Sequence, residues 1–234
     1  TVMLSEYFRM WAGDDLPMIA TGVAFGLALG VVSMLHPNHL GVALVAAMLL
    51  TVLGFTVNPG PFETTWTRMA TTVLGLVYCG VTLTFLYRLR VEHPDAEGRG
   101  WVYFVLLITW ANDTCAYFAG RLLGKHKLFP LLSPKKTWEG AVGGLAGSLG
   151  GAVAAHFTFA SHVGLVEAII IGALGGVLAP LGDLAESLLK RSFGAKDSGS
   201  ILPGHGGLMD RVDAVMITGP YVYLVSIFIH PLVR

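Results

Sequence analysis

The strongest constraint on this 234-residue chain is the spacing of its apolar runs, at 16–35, 40–57, 69–87, 101–120, 138–160, 164–187 and 209–232. Each is close to the roughly 20 residues that an α-helix needs to cross a hydrocarbon layer about 30 Å thick. Lipid offers the backbone no hydrogen-bond partner, so only helices and closed barrels span it, and these runs lack the period-two alternation of a barrel strand. The expected fold is therefore all-α: a polytopic integral membrane helical bundle of about seven transmembrane helices. Composition agrees, since 13% of residues are charged against about 25% in an ordinary soluble domain. Residues 1–15, "TVMLSEYFRMWAGDD", interrupt an apolar pattern with polar residues and show no signal-peptide cleavage site, which reads as an interfacial helix. Residues 16–100 then form the amino-terminal spans. Residues 101–234 form a second region that carries two polar loops, 121–137 and 190–208.

The glycines follow the same logic. The row "GAVGGLAGSLGGAVAA" at 140–155 suits close helix approach in a bilayer better than a nucleotide loop. Cys79 and Cys115 lie inside expected spans without zinc-ligand spacing, so neither a disulfide framework nor a cysteine-bound metal follows. The basic residues are too dispersed for a duplex-binding stripe, which argues against a nucleic-acid partner. If the chain starts inside, inner segments hold eleven Lys or Arg and outer ones only Arg88, Arg90, Arg99 and Arg234. That bias places both polar loops on the cytoplasmic face.

Three polar clusters interrupt the apolar background. In "APLGDLAESLLKRSF", Asp183, Glu186, Ser187 and Lys190 stand at i, i+3, i+4 and i+7 on one helix face. Ionisable groups within a span cost about 2.5–3.5 kcal/mol each at its centre, so a paired or metal-bound role is expected, with a snorkelling salt-bridged stripe as the plainer reading. In "GLMDRVDAVM", Asp210 and Asp213 share a face near the positive end of the helix dipole, where capping alone would favour them. Together with Asp183 and Glu186 they make an oxygen-rich set suited to a hard cation, Mg²⁺ first. In "SPKKTWEG", Ser133 reads as an N-cap and Pro134 as the first helical residue, so Lys135 and Lys136 fall in the first turn. Two cations there are unfavourable by roughly 0.3–1 kcal/mol each unless an anion such as phosphate binds, although anchoring to anionic headgroups would also use them.

Two further stretches are less pointed. "WANDTCAYFAGRLLGK" sets Asp113, Tyr117 and Arg121 at i, i+4 and i+8, which suits nucleotide contact, while Asn112 reads equally as an interhelical hydrogen bond. "SFGAKDSGSILPGHGG" has the Gly, Ser and Pro content of a hinged loop whose amides could cradle phosphate oxygens. His205 within it reads as a base, a phosphate donor or a plain loop residue.

The segment from Ser187 to Asp213 resembles the signature S-x-x-K-R-x4-K-D-x-[GSA]-x2-[LIF]-[PG]-x-H-G-G-x2-D-R-x-D of the phosphatidate cytidylyltransferase, or CDP-diacylglycerol synthase, family. Ser187, Lys190, Arg191, Lys196, Asp197, Gly199, Leu202, Pro203, His205, Gly206, Gly207, Asp210, Arg211 and Asp213 fill its defined positions. "NDTCAYFAGRLLGK" and "SPKKTWEG" are similar to two further stretches of that family, so the likeness covers roughly residues 101–215. Many members carry extra amino-terminal spans, and a chain that begins at Thr1 is read as trimmed or naturally short.

The resemblance implies a Mg²⁺-dependent membrane enzyme that makes CDP-diacylglycerol and pyrophosphate from CTP and phosphatidate, its site facing the cytoplasm from a bacterial inner membrane. It implies metal binding by the aspartates that match, Asp183 and Asp210. Asp213 and Glu186 are then expected to complete the cage, with room for a second cation. Catalysis is expected from Asp183, Asp210 and Lys190. Substrate binding is expected from Lys135, Lys136, Arg191, Lys196, His205, Arg211, Asn112, Asp113 and Arg121. CTP, phosphatidate, surrounding membrane lipids and a second copy of the chain are the expected partners. A CTP-dependent polyprenol or lipid kinase would use similar groups, and a cation transporter could also carry intramembrane acids, though near the midplane and often with inverted repeats.

Overall fold

A computed structural model of the protein describes residues 1–13, 15–199, 201 and 206–233. Among them the chain forms ten α-helices and one small hairpin: α1 (Val2–Ala12), α2 (Leu16–Leu35), α3 (Leu40–Val57), α4 (Phe62–Gly80), α5 (Thr84–Val91), α6 (Asp95–Leu123), β1 (Lys127–Phe129), β2 (Ser133–Thr137), α7 (Trp138–Thr158), α8 (Leu165–Ser192), α9 (Met209–Phe228) and α10 (His230–Val233). Each apolar run expected to span is largely helical, that at 69–87 being broken by a turn at 81–83, and among the described residues six stretches are long and apolar enough to cross a membrane: Leu16–Leu35, Pro37–Val57, Phe62–Val91, Asp95–Leu123, Leu165–Ser192 and Met209–Phe228. The fifth expected span, 138–160, which forms α7, is not among the six. More than half of its residues are Gly, Ala or Ser, which are small rather than strongly apolar. The all-α polytopic expectation holds, with the β1–β2 hairpin as the addition the periodicity did not show.

Two compact units make up the chain. One comprises residues 1–84 with 197–210, and the other residues 85–196 with 211–234.

In the first unit, α1 packs its apolar face on α2 and α4. Met3, Leu4, Tyr7 and Phe8 are buried. This is the segment expected to be an interfacial helix, and its apolar side is covered by protein. The partners offer glycine at the points of approach: Phe8 stands against Gly22, Leu4 against Gly26 and Tyr7 against Gly75. The Tyr7 hydroxyl donates to the Thr71 carbonyl at 2.7 Å. Asp15 caps α2 by accepting from Met18 N at 3.1 Å, and Pro17 fits the first turn, where a missing N–H costs nothing. In α3 only Ala47 and Thr51 are buried, so nearly its whole surface is left to lipid.

In the second unit, α7 lies between α6 and α8. Lipid tails are as apolar as leucine, so helices in a bilayer are held by close packing and interhelical hydrogen bonds rather than by exclusion of water. The α7 glycines supply the first: a Cβ on Gly147 would lie 2.5 Å from the Ala111 carbonyl oxygen and 2.7 Å from Cys115. Ser148 supplies the second by donating to the Ile108 carbonyl at 2.8 Å. At about 1.5 Å per residue, α6 and α8 are each roughly 43 Å long, more than the hydrocarbon thickness. Their carboxyl-terminal turns, which carry Asp113 to Arg121 and Asp183 to Arg191, are therefore the parts able to leave the apolar layer.

Replacing Gly147 with Leu should overpack this interface and cost about 1–3 kcal/mol. Gly150, one turn further along α7, would meet nothing within 4 Å, so Gly150→Leu should leave the midpoint of thermal unfolding in detergent at or above that of the parent while Gly147→Leu lowers it.

Candidate active site

The carboxyl-terminal ends of α6 and α8 and the hairpin between α6 and α7 enclose a cavity of about 460 Å³. Asn112, Asp113, Tyr117 and Arg121 line it from α6, Lys135 and Lys136 from β2, and Pro180 and Asp183 from α8. Six residues expected to serve the site, Asn112, Asp113, Arg121, Lys135, Lys136 and Asp183, thus meet in one place within the second unit.

The hairpin corrects one expectation. Ser133 does not cap a helix, and Lys135 and Lys136 do not occupy a first turn, because residues 133–137 pair antiparallel with 127–129, with Lys127 opposite Thr137 and Phe129 opposite Ser133. Helix α7 starts later, at Trp138, where Thr137 is the N-cap and accepts from Gly140 N at 3.1 Å. The Ser-Pro signal is local, and strand pairing together with a second good cap four residues on outweighs it. Alternation along β2 then separates the two lysines: Lys135 is exposed while Lys136 turns inward. Thr137 is buried, with Gly120 and Gly124 of α6 and its neighbours so close that a Cβ on either would come within 3.0 Å of it. His126 and Glu139 close the base of the hairpin with a 2.6 Å contact.

Lys136 is the centre of the cavity's charge. Its Nζ lies 2.6 Å from Asp183 Oδ2 and donates to the Pro180 carbonyl at 3.3 Å. Asp113 is near enough to Asp183 and Lys136 to feel their charge. Asp213 of α9 is likewise within electrostatic reach of Asp183, Asp113 and Lys136, so acids of α6, α8 and α9 lie near one ammonium group. Helices α8 and α9 touch here, since a Cβ on Gly182 would lie 2.9 Å from the Asp213 carbonyl oxygen. At the rim, Arg121 donates to the Tyr117 hydroxyl at 2.7 Å, so Tyr117 fills part of the gap between Asp113 and Arg121.

Asn112 has a precise task. Pro180 sits inside α8 and lacks an N–H, which deprives the Gly176 carbonyl four residues earlier of its helical donor. Asn112, 2% exposed, gives its side-chain amide to that carbonyl at 3.0 Å. The interhelical reading of Asn112 is therefore correct, and its place on the cavity wall follows from it.

The remaining expected residues lie elsewhere. Glu186, expected on the metal, is buried and its Oε2 holds Lys190 at 3.0 Å. Ser187 bonds back to Asp183 at 3.4 Å. Arg191 is exposed and donates to the Ala195 carbonyl at 3.3 Å, and Lys196 and Arg211 are exposed. Asp210 belongs to the first unit. Its Oδ2 accepts from Ser198 N at 2.9 Å, Ser198 Oγ at 2.8 Å and Gly207 N at 2.8 Å. His205 lies outside the described residues. Among those residues no group of three or more His, Cys, Asp or Glu is gathered closely enough to bind an ion by itself. Sequence reasoning missed Glu6, Pro180 as an acceptor and Thr137 as the cap, none of which carries a periodic signal, and for Glu6 the partners are some 200 residues away.

A family model described as Cytidylyltransferase family matches residues 1–229. A Staphylococcus saprophyticus protein named phosphatidate cytidylyltransferase is 38% identical over 208 residues, covering 86% of this chain and 77% of that protein. A Staphylococcus aureus (strain COL) protein of the same name is 35% identical over the same coverage. One from Brucella suis is 42% identical over 169 residues, which cover 67% of this chain and 57% of the relative.

Replacing Asn112 with Leu should strand the Gly176 carbonyl and cost about 1–3 kcal/mol. Adding Pro180→Ala restores an N–H in α8, so the double variant should recover most of the lost thermal stability, a rescue that unfolding in detergent would register.

Proposed function

Because this chain belongs to the cytidylyltransferase family, we propose that it transfers the cytidylyl group of CTP to phosphatidate, giving CDP-diacylglycerol and pyrophosphate. The observation that carries the reading is the Lys136–Asp183 pair, 2.6 Å apart in a cavity whose rim also holds Lys135 and Arg121. Such a site has cations for phosphate oxygens and carboxylates beside them.

The chemistry asks little of a base. A phosphate monoester with a second pKa near 6 is largely dianionic at neutral pH. Its oxygen forms a bond to the α-phosphorus of CTP while the bond from that phosphorus to the bridging oxygen breaks and pyrophosphate leaves. The barrier is electrostatic, because two anions must meet, so positioning and charge neutralisation dominate. Lys135 and Arg121 are exposed at the rim and suit the triphosphate. Lys136 bridges Asp183 and the Pro180 carbonyl and so holds a fixed cation where a phosphate would enter. Lys190, tied to buried Glu186, and Arg191 and Arg211 are further phosphate contacts in this reading.

The donor set fits a hard divalent cation. Asp183, Asp213 and Asp113 present only oxygen, and Mg²⁺ usually takes one or two carboxylates while substrate phosphates and water fill the rest, so a closed three-carboxylate cage is not required. Asp183 and Asp213 would hold it in the second unit, and Asp210 remains a candidate on the strength of the signature it fills. When bound, Mg²⁺ neutralises charge that develops on the departing pyrophosphate. A second cation and a second copy of the chain stay part of the proposal. So does a cytoplasmic site in a bacterial inner membrane, which rests on the Lys and Arg bias and on the bacterial relatives.

With phosphatidate and purified protein, label at the α-phosphate of CTP should enter lipid, and label at the γ-phosphate should leave in pyrophosphate. Lipid labelled from the γ position would instead indicate a kinase. Asp183→Asn should lower turnover on the order of 10²-fold, and chelation should abolish it until Mg²⁺ is returned.

A further inference from the structure

Within the first unit, Glu6 of α1 reaches the signature segment. Its Oε1 accepts from Leu208 N at 2.9 Å and its Oε2 from Met209 N at 2.9 Å. Ser198 Oγ stands 3.5 Å from Glu6 Oε2 and donates to Asp210 Oδ2 at 2.8 Å. Glu6 is 4% exposed. Buried acids are costly unless their oxygens are satisfied, and here both oxygens are taken by amides at the start of α9, whose dipole favours a negative charge.

The glycines of the signature fit this acid. A Cβ on Gly199 would lie 2.9 Å from Glu6 Oε1, and one on Gly207 2.7 Å from the same atom. Gly206 has φ +79°, a conformation that side chains other than hydrogen rarely adopt, and a Cβ there would lie 2.7 Å from Asp210 Oδ2. Three glycines are thus needed so that the backbone can close around two carboxylates. Ser198 lies between those carboxylates, and Gly207 N and Met209 N point to one each. Moving Glu6 would release the amides of residues 208 and 209, which lead directly into Asp210.

We propose that Glu6 is a positioning residue for the cytidylyl transfer: by holding the amides of residues 208 and 209, it fixes the backbone that carries the Asp210 carboxylate. The inference rests on the activity proposed above. Glu6→Gln keeps the size but sets an amide N–H against one of the two backbone N–H donors, so one cap is lost. In Glu6→Gln, kcat should fall about 10- to 100-fold, the scale of a small misplacement of a reacting group, while KM for CTP and for phosphatidate stays within about twofold. Ser198→Ala should move kcat in the same direction, and the double variant should be no worse than the poorer single one, because the two act as a unit.

Tyr7→Phe is the control. It removes a different long-range hydrogen bond of α1, to Thr71, and should lower thermal stability while kcat per folded molecule is unchanged. If Glu6→Gln behaves like Tyr7→Phe, or if the Glu6 and Ser198 effects simply add, Glu6 is only a structural cap and the inference is overturned. Wild-type protein that forms no CDP-diacylglycerol overturns the proposed activity as well, whereas active wild type with an unaffected Glu6→Gln overturns this inference alone.

Discussion

A membrane-spanning helix that contains a proline leaves one carbonyl to be satisfied, and much of the second unit is arranged around that requirement. Pro180 removes the donor for Gly176, and in a low-dielectric layer an unsatisfied carbonyl is costly. Asn112 supplies the replacement from α6. That bond fixes the register of α6 against α8 across the glycine-lined face of α7. The same proline then presents its own carbonyl to Lys136, so one break in α8 both joins two helices and helps to seat the cation of the cavity.

Charge is managed with similar economy. Asp183, Asp113 and Asp213 would repel one another if left alone at the end of a span. Lys136 enters from a hairpin rather than from a helix, and strand alternation turns it inward while Lys135 stays at the rim. A hairpin can carry a lysine over the ends of helices, which a straight helix start would point away. The result is a cavity lined by two carboxylates, Asp113 and Asp183, with Lys136 paired to one of them and Lys135 and Arg121 exposed beside it, which suits a ligand that is itself a chain of phosphates.

In the first unit the organising group is a carboxylate that a hydropathy plot would treat as a polar interruption. Glu6 sits on the buried side of an amphipathic helix whose other buried residues are Met3, Leu4, Tyr7 and Phe8. Its two oxygens and Asp210 Oδ2 take amides and a hydroxyl from residues 198 and 207–209. Several signature glycines therefore follow from steric room for side chains rather than from loop flexibility.

The sequence by itself determined the helical class, the approximate positions of the spans, the packing role of the glycine row and the membership of Asp113, Arg121, Lys135, Lys136 and Asp183 in a polar site. Each of these rests on local periodicity, on the cost of burying charge, or on a motif with fixed spacing. Only the tertiary structure decided that Lys135 and Lys136 lie on a strand, that Asn112 answers Pro180, and that Glu6 meets Leu208 and Met209. Those outcomes turn on pairings between segments distant in sequence, where strand register, a missing N–H or a buried carboxylate selects a partner that no window of neighbouring residues contains.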